Sequence, residues 1–525
     1  MPELLADCLY EIFKYLRNDD KDDRKSLNTC IFVSRLWCKN AIPLFWACPW
    51  YDGENFVYKP AIIKTILSCL SDESRQILIY NDIATSYFSS YRQPLFNYVS
   101  YCQNLSPWII DGMIHVILSD DQSQLNDLTL GYKATILEHE LYKLYMSKVS
   151  SITQLVFPDF PILYMPGARL CLSHLSDLDC STDDSPRYFF CLAEFCRKIQ
   201  RLRVYPCEED NQGLATLITL QHRLIHLELK TDIGEMVEKL SHIGDALTTQ
   251  AHSLIYINVY NNLFFSTEHL SSFVFLKVLK IYVTSEIPRK FWFCNMVLPH
   301  LEILDIFRDE FTPFRIYKCF IDHSSSNFRR IYWNRLIAAP PDDKEIQEFI
   351  RIISRSAHSL NFATIWYSDD FIDDFTQLLS LCTNLVGIKI CAKDLIEDGT
   401  NSIMINAENI LKVIIDKAPK NFSILNFDGN WSFSFYDIES FFYNWKYRNL
   451  SISGRPLSLF ISDDCEFTWG SSVDDLINKY VNENENTPVK FVQEHMSLII
   501  SLVDFRPCLQ AQQQFHNQME NNGSI

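Results

Sequence analysis

The chain has 525 residues, 47% hydrophobic and 21% charged, the balance of a globular protein long enough for several domains. A net charge of −18 argues against general nucleic-acid binding, because an acidic surface repels phosphate backbones, and only 13 glycines argue against a Gly-rich phosphate-binding architecture. The 17 cysteines are odd in number and form no C-x-x-C pair, and Cys69, Cys171, Cys382 and Cys391 sit among apolar neighbours. Free, buried thiols and a reducing compartment, cytoplasmic or nuclear, are therefore expected. Glu3 and Asp7 stand where a signal peptide carries basic residues, and no apolar run approaches the length of a membrane span, so no membrane association is expected.

At the N-terminus, Leu5, Leu9, Ile12, Phe13 and Leu16 recur at helical spacing and predict one apolar stripe. A charged stretch, Asp19 to Lys25, reads as a solvated loop. A second apolar set follows in Leu27, Cys30, Ile31, Val33, Leu36 and Trp37, and a third in Ala41, Leu44, Phe45 and Trp46, with Pro43 expected to interrupt any helix between them. Three short helices cannot bury all these faces among themselves, so some of the surface awaits a partner. The run Leu9-x-x-Ile12-Phe13-x-x-Leu16, then Cys30-x-x-Val33-x-Arg35-x-Trp37, then Pro43-Leu44-x-Trp46, resembles an F-box. It departs from that family's opening Leu-Pro-x-Glu, having Leu4-Leu5-Ala6-Asp7 there. The resemblance covers residues 1–46 and implies docking on the Skp adaptor of cullin-RING ubiquitin ligases, with Leu5, Leu9, Ile12, Phe13, Leu16, Trp37, Pro43 and Trp46 as the adaptor-binding residues.

Residues 47–150 read as a helical connector. Helices are expected over Ala61 to Leu70, after a cap at Ser71-Asp72-Glu73, and near Phe96 to Cys102, Met113 to Leu118 and Ile136 to Met146. From residue 152 a six-residue frame recurs with apolar residues at offsets 0, 3 and 5. It is clearest at Leu224, Leu254, Leu276, Leu301 and Leu385, and weaker at Ile152, Leu175, Ile199, Phe328, Leu360 and Phe422. These starts run from 152 to 422 with a mean spacing of 27 residues and gaps from 22 to 37. The frame resembles the leucine-rich repeat in degenerate form, and stacked helix–strand units would bury a continuous core. Between frames, Asp342 is the expected cap of a helix whose buried face holds Ile346, Phe349, Ile350 and Ile353. Phe371 to Leu381 and Ala407 to Ile415 repeat the order helix, turn, strand. The expected organisation is α/β: an F-box over 1–46, the connector over 47–150, a leucine-rich-repeat solenoid over 151–460, a C-terminal cap region over 461–508 and a disordered tail over 509–525.

The sequence contains no nucleotide-binding, nucleophile-elbow or zincin motif. His222 and His226, Cys191 and Cys196, and paired carboxylates such as Asp342-Asp343 and Asp369-Asp370 are read as surface or core residues, so no catalytic residue, metal or cofactor is expected. In a leucine-rich repeat, offsets 2, 4 and 6 face the concave side. Arg201, Arg203, Tyr256, Tyr282, Arg330, Tyr332 and Trp366 fall there and are the expected target-binding residues, because Tyr, Trp and Arg are the usual anchors of protein interfaces. Asp305 is expected to be exposed on the same face, with Leu304 and Ile306 buried. The resemblance implies a non-catalytic substrate receptor of a Skp–cullin–F-box ligase, with the adaptor and cullin as partners and a target the sequence does not name. The alternative is an adaptor-independent protein-interaction scaffold.

Overall fold

In a computed structural model of the chain, residues 5–16, 21–50, 58–89, 93–119, 127–231, 240–260, 267–283, 297–308, 328–335, 343–355, 358–392, 395–397, 401–451, 457–461, 466–467 and 489–491 are described. The protein is α/β, and nearly all of its strand pairing is parallel. It divides into two compact units, one holding residues 1–204 and 211–224, the other 205–210 and 225–500.

The first unit opens with helices Ala6–Tyr15, Lys21–Cys30 and Arg35–Trp46. Leu9, Phe13, Leu27, Cys30, Ala41 and Leu44 form their common core, with Leu16, Ile31, Leu36, Trp37 and Phe45 packed against it. Ser34 caps the third helix by accepting a hydrogen bond from the Trp37 amide at 3.2 Å. Two expectations fail here. The second helix begins at Lys21, inside the stretch read as a loop, and the third runs through Pro43. Proline costs a helix one hydrogen bond, but Ala41, Ile42, Leu44 and Trp46 on either side of it are all buried, and that burial outweighs the local preference.

The helices that follow stand close to where the periodicity places them: Pro60–Ser68, Asp72–Tyr80 with Ser71 capping the Ser74 amide, Pro107–Ser119 and Asp127–Lys148. The segment read as a helix over Phe96 to Cys102 holds only one 3-10 turn, Tyr98–Tyr101. It leads into a short strand, Asn104–Leu105, which pairs with Gln154–Val156. That strand is itself preceded by a frame residue, since Cys102 and Leu105 lie in register with Ile152 and Leu155 and are buried. Strands Asp177–Cys180 and Arg201–Val204 continue the parallel order in this unit.

In the second unit the parallel order is His226–Lys230, Tyr256–Tyr260, Val278–Val283, Ile303–Arg308, Arg330–Arg335, Phe362–Tyr367, Gly387–Ala392, Ile424–Asp428, Leu457–Ile461 and Val489–Phe491. Each of the frames read from the sequence opens a strand at its offset-2 residue, and every described side chain at offsets 0, 3 and 5 is buried. The burial of Ile306 lies outside the described side chains, and so does Asp342. Helix Asp343–Arg355 buries Ile346, Phe349, Ile350 and Ile353, and helices Ile372–Leu381 and Glu408–Lys417 precede their strands as read.

One backbone device repeats at the strand entries. The carbonyl at offset 1 of a frame accepts the amides at offsets 1 and 2 of the next frame. Thr153 does so from Ser176 and Asp177, Ser176 from Gln200 and Arg201, Ile255 from Lys277 and Val278, Glu302 from Arg329 and Arg330, and Asn361 from Val386 and Gly387. Each such carbonyl accepts two amides, so each entry is fixed by the one before it.

Candidate protein-docking surfaces

The first surface lies on the helical head. Of the apolar stripe read on its first helix, Leu9 and Phe13 point into the core, Phe13 meeting Trp37 edge to face at 5.2 Å, and Leu16 is half-buried. Leu5 and Ile12 do not enter it: they are 75% and 47% exposed, and Tyr15 is also exposed. Leu5, Ile12 and Tyr15 are spaced i, i+7, i+10, which sets them along one side of the helix. In the turn before the third helix, Phe32 and Val33 are 80% and 57% exposed. The second and third helices are held by Arg24, whose guanidinium covers the Phe45 ring at 4.9 Å and donates to the Cys48 carbonyl at 2.6 Å. Trp46 is buried and packs on Tyr98 at 4.7 Å, while Pro43 and Trp37 are half-buried. Of the eight residues read as adaptor-binding, Leu5 and Ile12 thus offer open surface, whereas Leu9 and Phe13 lie in the core of the head and Trp46 packs against Tyr98. Phe32 and Tyr15 are exposed large apolar groups that the reading did not single out.

The second surface is the strand face opposite the buried frame residues. In the first unit, Arg201 and Arg203 are not free donors. Arg201 pairs with Asp177 at 3.0 Å and Arg203 with Asp179 at 2.7 Å, each acid being the residue at the same offset one frame earlier.

In the second unit this face carries stacked rings. His226 lies on Tyr256 at 4.0 Å, Tyr260 on Tyr282 at 4.3 Å, and Lys230 covers the Tyr205 ring at 4.2 Å. The His226 ring nitrogen is 2.7 Å from Glu228, and the Asn258 amide donates to the Tyr260 hydroxyl at 3.0 Å. Tyr256, Tyr282, Arg330 and Tyr332 are half-buried, so part of each is accessible. Trp366 is not: it is 3% exposed, because every residue of Phe362–Tyr367 and of the neighbouring Gly387–Ala392 is buried on both faces. Asp305, expected in the open, is 2% exposed, and Lys280 and Lys389 in the same row are buried too.

Lys389 donates to Asp428 across 2.8 Å. Burial pulls its pKa down, but Cys391, Asp428 and Asp305 together outweigh that, so the ammonium is held above its usual range. Burial pushes the Tyr332 phenol up.

Among the described residues no group of three or more His, Cys, Asp or Glu side chains could hold a metal ion, and no helix is long and apolar enough to cross a membrane. No protein-family model matches the chain, and no curated protein matches it.

Proposed function

We propose that the chain is the target-recognition subunit of a Skp–cullin–F-box ubiquitin ligase, an F-box head joined to a leucine-rich-repeat solenoid. The observation that carries this reading is the split of the head's apolar residues. Leu9, Phe13, Leu27, Cys30, Ala41 and Leu44 make a closed core, while Leu5, Ile12, Phe32 and Val33 remain outside it in water. Apolar groups left exposed beside a complete core are the mark of a docking surface. The regular succession of framed parallel strands supports the solenoid reading. On this reading the chain performs no bond chemistry, and its contribution is to hold a target close to a conjugating enzyme that other subunits bring.

The test uses the full chain as bait for the Skp adaptor and a cullin. Leu5→Ser with Ile12→Ser removes two exposed anchors and leaves the core intact. Anchors that become buried at an interface are worth about 2 kcal/mol each, so capture should be abolished while the circular dichroism is unchanged. Leu9→Ala is a poorer probe, because Leu9 is a core residue whose loss unsettles the head itself. Absence of adaptor and cullin capture by the wild-type chain supports the alternative, an adaptor-independent scaffold with a purely structural head, and unchanged capture by the Leu5/Ile12 variant shows that these two residues are not the anchors.

A further inference from the structure

Three successive turns of the first unit carry positive charge on an otherwise acidic chain. The chain holds 65 Asp and Glu against 47 Lys and Arg, yet the turns at 172–176, 196–200 and 220–224 contain no carboxylate and hold Arg197, Lys198 and Arg223, with His174 and His222 beside them. The turns are stacked on one another: the Ser176 carbonyl accepts the Gln200 amide at 2.8 Å, and the Arg197 carbonyl accepts the His222 amide at 3.1 Å. At the usual strand spacing the three span about 10 Å. Lys198 and Arg223 are exposed, and Arg197 is half-buried with its guanidinium donating to the Leu220 carbonyl at 3.4 Å. Among the described residues no carboxylate stands within ion-pair distance of any of the three. The one acid beside them, exposed Glu194, is already held by Arg169. Four cations and one carboxylate thus share this edge. The second observation is apolar. Leu170 and Leu220, each at the end of a helix that leads into one of these turns, are 72% and 40% exposed.

We propose that this edge docks an acidic, leucine-bearing segment of a partner protein, with Arg197, Lys198 and Arg223 meeting its carboxylates and Leu170 and Leu220 its apolar side chains. Charge complementarity selects the occupant: the guanidinium groups of Arg197 and Arg223 match carboxylates, and exposed leucines beside them reward burial by a protein rather than by a bare polyanion. A nucleic acid fits less well, because a row of about 10 Å reaches few phosphates while the net charge of −18 repels the rest of the strand. The edge is a different surface from the strand face, where Arg201 and Arg203 already hold carboxylates of their own chain. The rival role is internal. Helices Pro186–Phe195 and Gln212–Thr219 end just before these cations, and a helix C-terminus favours positive charge.

The test titrates the purified full chain against a fluorescein-labelled hexapeptide of glutamates and two leucines, followed by anisotropy at low and at high salt. Wild type should bind saturably and more weakly as salt rises. The triple variant Arg197→Gln, Lys198→Gln, Arg223→Gln should weaken binding about tenfold and flatten its salt dependence. Leu170→Ser should weaken binding while leaving the salt dependence as it is. Should the triple variant melt lower than wild type, Arg223→Glu alone, at an exposed position beyond the helix end, carries the same test. Absence of saturable peptide binding overturns the proposal. So does a triple variant that melts lower yet binds as wild type does, which assigns the cations to the helix ends. Polyuridine RNA and vesicles of phosphatidylcholine with phosphatidylserine are run alongside, and tighter binding to either one, lost in the same variants, overturns the choice of a protein segment. None of these readouts involves the adaptor, so the docking edge stands or falls apart from the receptor reading.

Discussion

Gly387 packs closely against both neighbouring strands, and Gly387→Ala tests that packing. A Cβ at this position would stand 2.7 Å from Ile424 Cβ and 2.9 Å from Phe362 Cδ2. Ordinary contact begins near 3.4 Å, so the intrusion is about 0.7 Å on one side and 0.5 Å on the other. The Phe362 ring can tilt, at the expense of its contact with Tyr332 at 5.0 Å, but Ile424 Cβ is fixed to its backbone and moves only with the strand. Overpacking of this kind costs about 1–3 kcal/mol. Restricting the unfolded chain returns about 0.5–1 kcal/mol, so the net loss should be about 0–2.5 kcal/mol. Urea unfolding of the full chain, monitored at the transition of the second unit, should show a lower midpoint with an unchanged slope. Ile424→Gly in the same chain should cost less than it does alone, because it removes the Cβ that the new methyl meets, and a double-mutant cycle measures that coupling. A Gly387→Ala variant more stable than wild type would show that the two strands have room to part, and the packing argument would fail.

Three further outcomes follow from the same strands and from the helix caps. Leu304→Ala should destabilise by about 2–5 kcal/mol through the cavity it opens. Asp305→Leu should cost about 3–5 kcal/mol because it strips a carboxylate from a row that holds buried Lys280 and Lys389, and equal urea midpoints for wild type and Asp305→Leu would refute the charge account. Asp210 caps helix Ser241–Thr248, accepting from the amides of His242 and Ile243 at 2.8 and 3.0 Å and from the Ser241 hydroxyl. Burial raises its pKa, but these bonds outweigh that and leave it below the usual 3.8. The stabilisation is therefore present above pH 3.8 and is lost as pH falls through the lower folded value. Asp210→Ala should cost about 1–2 kcal/mol at pH 7, with the gap to wild type closing in acid, as thermal melts across pH would register.

Much of this fold was legible because the frame is local. Leu276, Leu279 and Ile281 announce a strand and its buried side within six residues, and the strand begins where the frame says. The entry at Cys102 escaped notice because only Cys102 and Leu105 keep the pattern before Pro107 ends it. Exposure on the other face was not legible. Alternation tells which side Asp305 and Trp366 take, whereas the depth of cover depends on what distant parts of the chain place there. The pairing of Arg201 and Arg203 could have been found: aligned frames put Asp177 and Asp179 at the same offsets one repeat earlier. On the head, the periodicity gave one stripe for Leu5, Leu9, Ile12 and Phe13. Which part of it the second and third helices cover is set by tertiary packing alone.

The shared carbonyls at the strand entries separate two quantities that usually vary together, the length of a repeat and its placement. A frame is located by two hydrogen bonds to its predecessor, so the residues between frames are free in number as long as the chain returns to the same carbonyl. Intervals of 22 residues (254 to 276) and 37 residues (385 to 422) are accommodated in one succession. The longer one carries an added antiparallel hairpin, Leu395–Glu397 with Asn401–Ile403, without shifting the register of Gly387–Cys391 against Ile424–Asp428. Insertions can thus accumulate outside the ladder and change what the protein displays, while the ladder itself keeps its step.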